Sequence, residues 1–307
     1  MGRILRISAP AKVNLFLGVH EEKDARGYHR VDSLMACVDV ADVLEKREAE
    51  ALEVACVPPV GIPQEANSCW VAARKLAERF GREPDVRIVV EKHVPDRAGL
   101  GGSSADAAAT IVGLCRLWGE DPADERCVAA AREGGADVPI FLVGAPCFLE
   151  GAGDVARESF PPIGRASLVL AKPTADGPGI TAAEAYRDFD REPVAAGDAS
   201  KVRRALRERR WDDLPALVEN NFEPVAERIS PRVAELRTWL SARPGVRRAM
   251  VTGSGSCVFA FCEDDACAAT IAEDVRGKGM WAHAGTFVGH GPQVLEDAEA
   301  ALTTHRA

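Results

Sequence analysis

Residues 98–114 read AGLGGSSADAAATIVGL, a glycine turn that runs through two serines into an alanine-rich stretch. Ala105, Ala108, Ile111, Val112, Leu114 and Cys115 give that stretch an apolar helical surface, and Ser103 or Ser104 is placed to cap it. A helix N-terminus carries free N–H groups and the positive end of a dipole. Glycines let a phosphate approach the backbone without a Cβ clash, so the geometry suits a diphosphate or triphosphate. A P-loop is excluded because no lysine follows the glycines. A dinucleotide fingerprint is excluded as well, because Ser104 takes the place of its third glycine and a second helix follows where that motif needs a strand. On these residues alone the loop stays open between a phosphate cradle and a capped core helix. Asp106 favours the second reading, since a carboxylate in the first turn offsets the dipole but repels a phosphate.

The chain around this loop has 307 residues, more than one compact core usually holds, and the pattern of elements restarts near residue 155. Two domains are expected, 1–155 and 156–307. A composition of 47% hydrophobic and 28% charged residues is that of an ordinary globular protein. The net charge of -9 is spread without a basic run, which argues against nucleic acid or an anionic membrane as partner. The nine cysteines form no CxxC pair, and the spacing of Cys257, Cys262 and Cys267 fits no zinc pattern, so they read as reduced core residues. No apolar run is long enough for a signal peptide or a bilayer span, and a cytoplasmic chain is expected.

Along the chain, ILRISAPAKVNLFLGV suggests two strand segments broken at Pro10, followed by a turn at Gly27 and the strand MACVDVADVLE. SCWVAARKLAERFG places Trp70, Leu76 and Phe80 on an amphipathic helix closed by Gly81, and VRIVVEKHV reads as a strand. After the opening motif, DERCVAAARE predicts a helix ending at Gly134, and ADVPIFLVGAPCFLEG reads as buried strand and turn. The second half interleaves strands (ASLVLAKP, VRRAMV, CVFAFC, MWAHAGTFVG) with helices (TAAEAYRDF, ASKVRRALRERRWDDLPALV, PRVAELRTWLSARPG, DACAATIAEDVRGKG), an α+β pattern. The tail GPQVLEDAEAALTTHRA is polar enough for a peripheral helix or disorder.

Two further residues stand out. Lys12 lies amid the apolar residues of PAKVNLFL, where a buried ammonium needs an anionic partner, and Asn14 shares its face if the segment is a strand. Asp137, in GGADVPIF, either caps the chain or supplies that anion beside a substrate hydroxyl.

At these residues the sequence resembles the GHMP kinases, the superfamily of galactokinase, homoserine kinase and the mevalonate-pathway kinases. The resemblance rests on APAKVNLFLGVHEEKDARGYHRVDSL (9–34), VPDRAGLGGSSADAAATIVGLCRLWG (94–119), GGADVPIFLVGAPCFLEGAGD (134–154) and MVTGSGSCVFAF (250–261). PAKxNLFL followed by GYHxxxSL is similar to the branch of the family that acts on a cytidine-diphosphate-linked polyol. The resemblance implies an α/β (α+β) fold of two domains, with the active site between an N-terminal ATP-binding domain and a C-terminal α+β domain.

It further implies ATP as co-substrate with Mg2+, Lys12 and Asp137 as the catalytic pair, and ATP phosphates over Gly99–Ser104. Pro95, Arg97, Ala98, Gly99, Leu100, Gly101, Gly102, Ser103, Ser104, Ala105, Asp106 and Ala107 would form the nucleotide side. Asn14, Tyr28, His29, Tyr186, Thr252, Gly253, Ser254 and Gly255 would form the substrate side, with Tyr28 and Tyr186 stacking on the cytosine and His29 reading its edge. The implied reaction is phosphorylation of the 2-hydroxyl of 4-diphosphocytidyl-2-C-methyl-D-erythritol on the non-mevalonate route to isoprenoid precursors, by a monomer or weak homodimer. Metal ligands are not legible. Against the family pattern GLGGGSSDAA, this chain reads GLGGSSADAA, with Ser103 in place of a glycine and Ala105 in place of a serine.

Overall fold

The structure, a computed structural model, describes residues 3–174 and 179–299. The first half is laid out as β1 (Arg3–Lys23), β2 (His29–Glu48), β3 (Glu53–Val57), α1 (Ser68–Phe80), β4 (Val86–Glu91), α2 (Gly102–Trp118), α3 (Glu125–Gly134), α4 (Val138–Val143), β5 (Cys147–Glu150) and β6 (Val155–Ser159). The second half runs β7 (Ser167–Lys172), α5 (Ala182–Arg191), α6 (Ser200–Arg207), α7 (Leu214–Leu217), β8 (Glu219–Asn220), α8 (Glu223–Ile229), α9 (Pro231–Ser241), β9 (Val246–Val251), β10 (Val258–Cys262), α10 (Asp265–Gly277), β11 (Trp281–Gly285), β12 (Phe287–Val288) and β13 (Gln293–Glu299). Among the described residues these strands form a nine-stranded sheet built on the order β13-β1-β2-β4-β3 and a four-stranded sheet β11-β7-β10-β9. The chain's last strands, β12 and β13, return to the first sheet, against β2 and β1.

α2 packs between the first sheet and helices α1, α3 and α4, and Ala105, Ala107, Ala108 and Ala109 are all fully buried. Small side chains on several faces let α2 be enclosed on those faces, which explains its alanine content. Its start differs from expectation. Gly101, at φ 72°, is the cap, the helix begins at Gly102, and neither Ser103 nor Ser104 caps it, since no side chain accepts from its first turn. The left-handed dihedral at Gly101 is one that an L side chain rarely takes.

The break expected at Pro10 is a bulge within one long strand. Pro10 faces Ala41 and Lys12 faces Cys37, so the register with β2 slips between them. The Lys12 N–H instead donates to the Leu100 carbonyl at 2.9 Å, which ties β1 to the glycine loop at the position of the unusual lysine.

Three other expectations are corrected. VPIFLV is the helix α4, with Pro139 in its first turn, because six apolar residues in a row carry no period that separates strand from helix. ASKVRRALRERRWDDLPALV breaks into α6 and α7 around Arg209, whose φ is +55°. The start of the tail is β13, held by Arg3 to Asp297 at 2.6 Å; residues 300–307 of that expected helix or disordered segment lie outside the described residues.

Candidate active site

Lys12 is 3% exposed, and its Nζ donates to Asn14 Oδ1 at 2.7 Å and to the Gly99 carbonyl at 2.8 Å, with Asp137 Oδ2 at 3.9 Å. The alternation of a strand puts Lys12 and Asn14 on one face, as their spacing predicts. Burial lowers the Lys12 amine from its ordinary value, and the Asp137 carboxylate opposes that shift. Asp137 sits immediately before α4, about one third exposed, so the lysine meets its anion at the edge of open space.

Two glycine loops close over this pair. A Cβ on Gly99 would lie 2.2 Å from the Thr252 carbonyl, and one on Gly253 would lie 3.1 Å from the Gly99 carbonyl, so neither loop tolerates a side chain where they touch. Cys257 N donates to the Ala98 carbonyl at 3.1 Å and joins the loops directly. Thr252 is fully buried and its hydroxyl accepts from Asn14 N at 3.0 Å. Asn220 Nδ2 donates to the carbonyls of Val251 (2.8 Å) and Gly253 (2.9 Å), and Asn14 Nδ2 donates to Ser33 Oγ (2.9 Å). Ser33 and Asn220 were not singled out in the sequence, because an isolated polar residue within a strand leaves no periodic signal.

Two cavities flank the loops. The first, of about 320 Å³, is lined by Lys92, Val94 to Ser104, Ile180 to Ala182 and Ser254. Pro95, Arg97, Ala98, Gly99, Leu100, Gly101, Gly102, Ser103 and Ser104 therefore line one cavity. Ala105 and Ala107 do not, being buried in the core. Asp106 also turns away. Its Oδ2 accepts from Lys92 at 2.7 Å, and Lys92 in turn contacts Asp42, which is itself fully buried and accepts from His93 N (2.6 Å) and Val94 N (2.8 Å). Burial pushes the Asp106 carboxyl up to about 7, Lys92 working against it. The repulsion that Asp106 was expected to exert on a phosphate is offset by this ammonium.

The second cavity, of about 570 Å³, is lined by Lys12, Asn14, Ser33 and Asp137 together with Lys23, Tyr28, His29, Tyr186, Asp190 and Phe222. Gly99, Gly101, Ser104, Ala182 and Ser254 line both cavities. Tyr28 is 59% exposed in the turn after β1, with the Arg26 guanidinium 5.2 Å from its ring centre. Tyr186, from α5, stacks on the His29 ring at 5.4 Å with 19° between planes, and burial pushes its phenol up to about 12, with Asp137 adding to the shift. Gly253 and Ser254 face this cavity, whereas Thr252 and Gly255 stand behind it and support Asn14 and the loop. No group of three or more His, Cys, Asp or Glu side chains among the described residues is arranged to hold a metal.

A glycine loop on a helix N-terminus, faced by a buried lysine and a partly exposed carboxylate, is the arrangement that the resemblance to the GHMP kinases, small-molecule kinases without a P-loop, implies. The family model "GHMP kinases N terminal domain" matches residues 67–145 and "GHMP kinases C terminal" matches 194–279. A 4-diphosphocytidyl-2-C-methyl-D-erythritol kinase of Cereibacter sphaeroides is 34% identical over 92% of this chain and 98% of its own, and one of Paramagnetospirillum magneticum is 36% identical over 87% and 92%. A crystal structure of 4-(cytidine 5'-diphospho)-2C-methyl-D-erythritol kinase superposes with a TM-score of 0.76 at 32% identity, over 92% of this chain and 99% of that one. The chain belongs to the 4-diphosphocytidyl-2-C-methyl-D-erythritol kinase family of the GHMP kinases. No helix among the described residues is long and apolar enough to cross a membrane.

Proposed function

We propose that the chain transfers the γ-phosphoryl group of ATP to the 2-hydroxyl of 4-diphosphocytidyl-2-C-methyl-D-erythritol, giving the 2-phosphate and ADP for the non-mevalonate route to isoprenoid precursors. The observation that carries this reading is that the two cavities share Gly99, Gly101 and Ser104, while Lys12, bonded to the Gly99 carbonyl, and Asp137 line the second one beside these shared residues. ATP lies in the first cavity with its phosphates over Gly99 to Ser104, where the uncapped first turn of α2 offers backbone N–H groups. The polyol lies in the second, its cytosine against Tyr28 and Tyr186 and its hydroxyl at Asp137.

Asp137 accepts the hydroxyl proton as the oxygen attacks the γ-phosphorus. Lys12, held by Asn14 and the Gly99 carbonyl, orients that oxygen and offsets the charge that builds on the phosphoryl group. A tertiary alcohol is a weak acid, so the base helps only once the hydroxyl is aligned with the phosphate. Enclosure by the two loops supplies that alignment. The donor set fits a magnesium ion carried on the ATP phosphates, since Ser103 and Ser104 offer hydroxyls beside the loop and no carboxylate cage is present among the described residues. When bound, the ion neutralises phosphate charge. One chain supplies both cavities, so a monomer suffices, and the cytoplasm, where ATP is abundant, is the natural compartment.

The reading is tested by following ADP release with ATP and magnesium in the presence of the cytidyl substrate, homoserine or mevalonate in turn. Turnover confined to the cytidyl substrate is expected. Turnover on homoserine or mevalonate with none on the cytidyl compound would replace this assignment with another small-molecule kinase of the superfamily, and none on any would mark a nucleotide-binding protein without turnover.

A further inference from the structure

β4 stops at Glu91, and the chain then leaves the sheet towards the glycine loop. Its next N–H groups need acceptors that the ladder no longer supplies. Lys92 N donates to the Val57 carbonyl at 2.8 Å, while His93 N (2.6 Å) and Val94 N (2.8 Å) both donate to Oδ1 of Asp42, a fully buried carboxylate on β2. The second oxygen of Asp42 accepts from Lys92 Nζ, and the same ammonium donates to Asp106 Oδ2 at 2.7 Å, one turn into α2. Asp42 thus holds the strand-side end of the glycine loop directly and the helix-side end through Lys92. The two ends are in contact here: a Cβ on Gly102 would lie 3.1 Å from Val94 Cγ1 and 3.6 Å from Asp42 Oδ2.

The charges support this tie. Burial favours the neutral amine of Lys92, but the carboxylates of Asp106 and Asp42 outweigh it and hold the amine above its ordinary value, so it stays charged. Lys46, also on β2 and fully buried, donates to the Ala109 carbonyl at 2.9 Å, which leaves Lys92 to pair both carboxylates. Lys92 lines the first cavity, whereas Asp42 lines neither. Asp42 therefore acts on the loop without touching what the loop holds.

From this geometry we infer that Asp42 is a positioning residue for the nucleotide: from behind the loop it fixes the separation of the loop's two ends, and with it the directions of the backbone N–H groups that face the phosphates. The inference rests on the proposed placement of ATP phosphates over Gly99 to Ser104 and assigns the shape of that cradle to a residue outside it. Gly99 and Gly101, at positive φ, have no side chains with which to brace the loop. Its shape depends on what holds it from outside, which is Lys12 and the second glycine loop on one side and the Asp42 cluster on the other.

Asp42→Asn keeps an acceptor for His93 and Val94 but sets an amide N–H group against the Lys92 ammonium, so it cuts the tie to α2. The KM for ATP is expected to rise about tenfold or more while that for the cytidyl substrate stays in place. In the ligand-free protein, amide hydrogen exchange across 95–104 should quicken about tenfold or more, with β7 and β10 of the other sheet unchanged. Asp106→Leu severs the same tie from the helix side, spares the backbone contacts of Asp42, and carries the test if Asp42→Asn does not fold. It should give the same split between substrates, and adding Asp42→Asn to it should change the KM for ATP by less than about twofold. An unchanged KM for ATP, an equal rise for both substrates, or exchange quickened throughout the molecule overturns the inference. Failure of the wild type to turn over ATP would instead overturn the functional reading, and exchange in the ligand-free protein would still decide whether Asp42 holds the loop.

Discussion

The two cavities are built by opposite means. The smaller is built from backbone: glycines at positive φ, the first turn of α2 and carbonyls that interlock with the second glycine loop. The larger is built from side chains that arrive from distant parts of the chain, among them Tyr28 after β1, Tyr186 and Asp190 on α5, and Asp137 before α4. Phosphates are alike in all nucleotides and can be met by a local loop. A base and a particular hydroxyl need chemically distinct groups in fixed places, which only the folded chain brings together.

The sharpest way to break this comparison is at the proposed base of the larger cavity. Asp137→Asn should lower kcat by about 10²–10⁴-fold, the range of a lost general base, while calorimetry still finds both ligands bound. Next in size is the backbone cavity. Gly99→Ala places a Cβ 2.2 Å from the Thr252 carbonyl at a φ of +74°. It should cost about 1–3 kcal/mol in urea unfolding and raise the KM for ATP more than that for the cytidyl substrate. On the side-chain cavity, Tyr28→Ala should weaken cytidyl binding by about 1–3 kcal/mol and leave ATP affinity in place, measured by titration of each ligand alone.

A separate test is one of pH. Asp106 has a folded value near 7 against an ordinary 3.8, so within that window the folded chain holds a proton that the unfolded chain has lost. Stability from this group is therefore greatest below the unfolded value and declines as pH rises through the folded one. Urea midpoints measured from pH 4.5 to 7.5 should show that decline, and Asp106→Asn should flatten it.

How much of this was legible follows from the same contrast. The glycine loop could be read as the start of a helix because that requirement is local, though its residues alone left a phosphate cradle and a capped core helix open, and Lys12 with Asn14 could be read because a strand's alternation fixes which residues share a face. Asp137 was open between a cap and the anion for Lys12, and only the resemblance to the GHMP kinases paired the two. Ser33, Asn220, Lys92 and Asp42 were not legible, because each matters through a partner far away in sequence. α4 was mistaken for a strand because a short apolar run has no decisive period. β13 was missed because an edge strand rich in charge resembles a surface helix or loop. Ala105, Asp106 and Ala107 were carried into the nucleotide site by adjacency, whereas the helix turns them inward within one turn.

The central claim, that ATP in one cavity meets the 2-hydroxyl of the polyol in the other, is tested most directly by proton-coupled ³¹P spectroscopy of the product. Carbon 2 bears a methyl group and no hydrogen, so a phosphate placed there gives a monoester singlet. The expected result is that singlet, growing in step with ADP while the cytidyl diphosphate signals stay intact. A monoester split by carbinol protons, or ADP matched only by inorganic phosphate, would contradict the account.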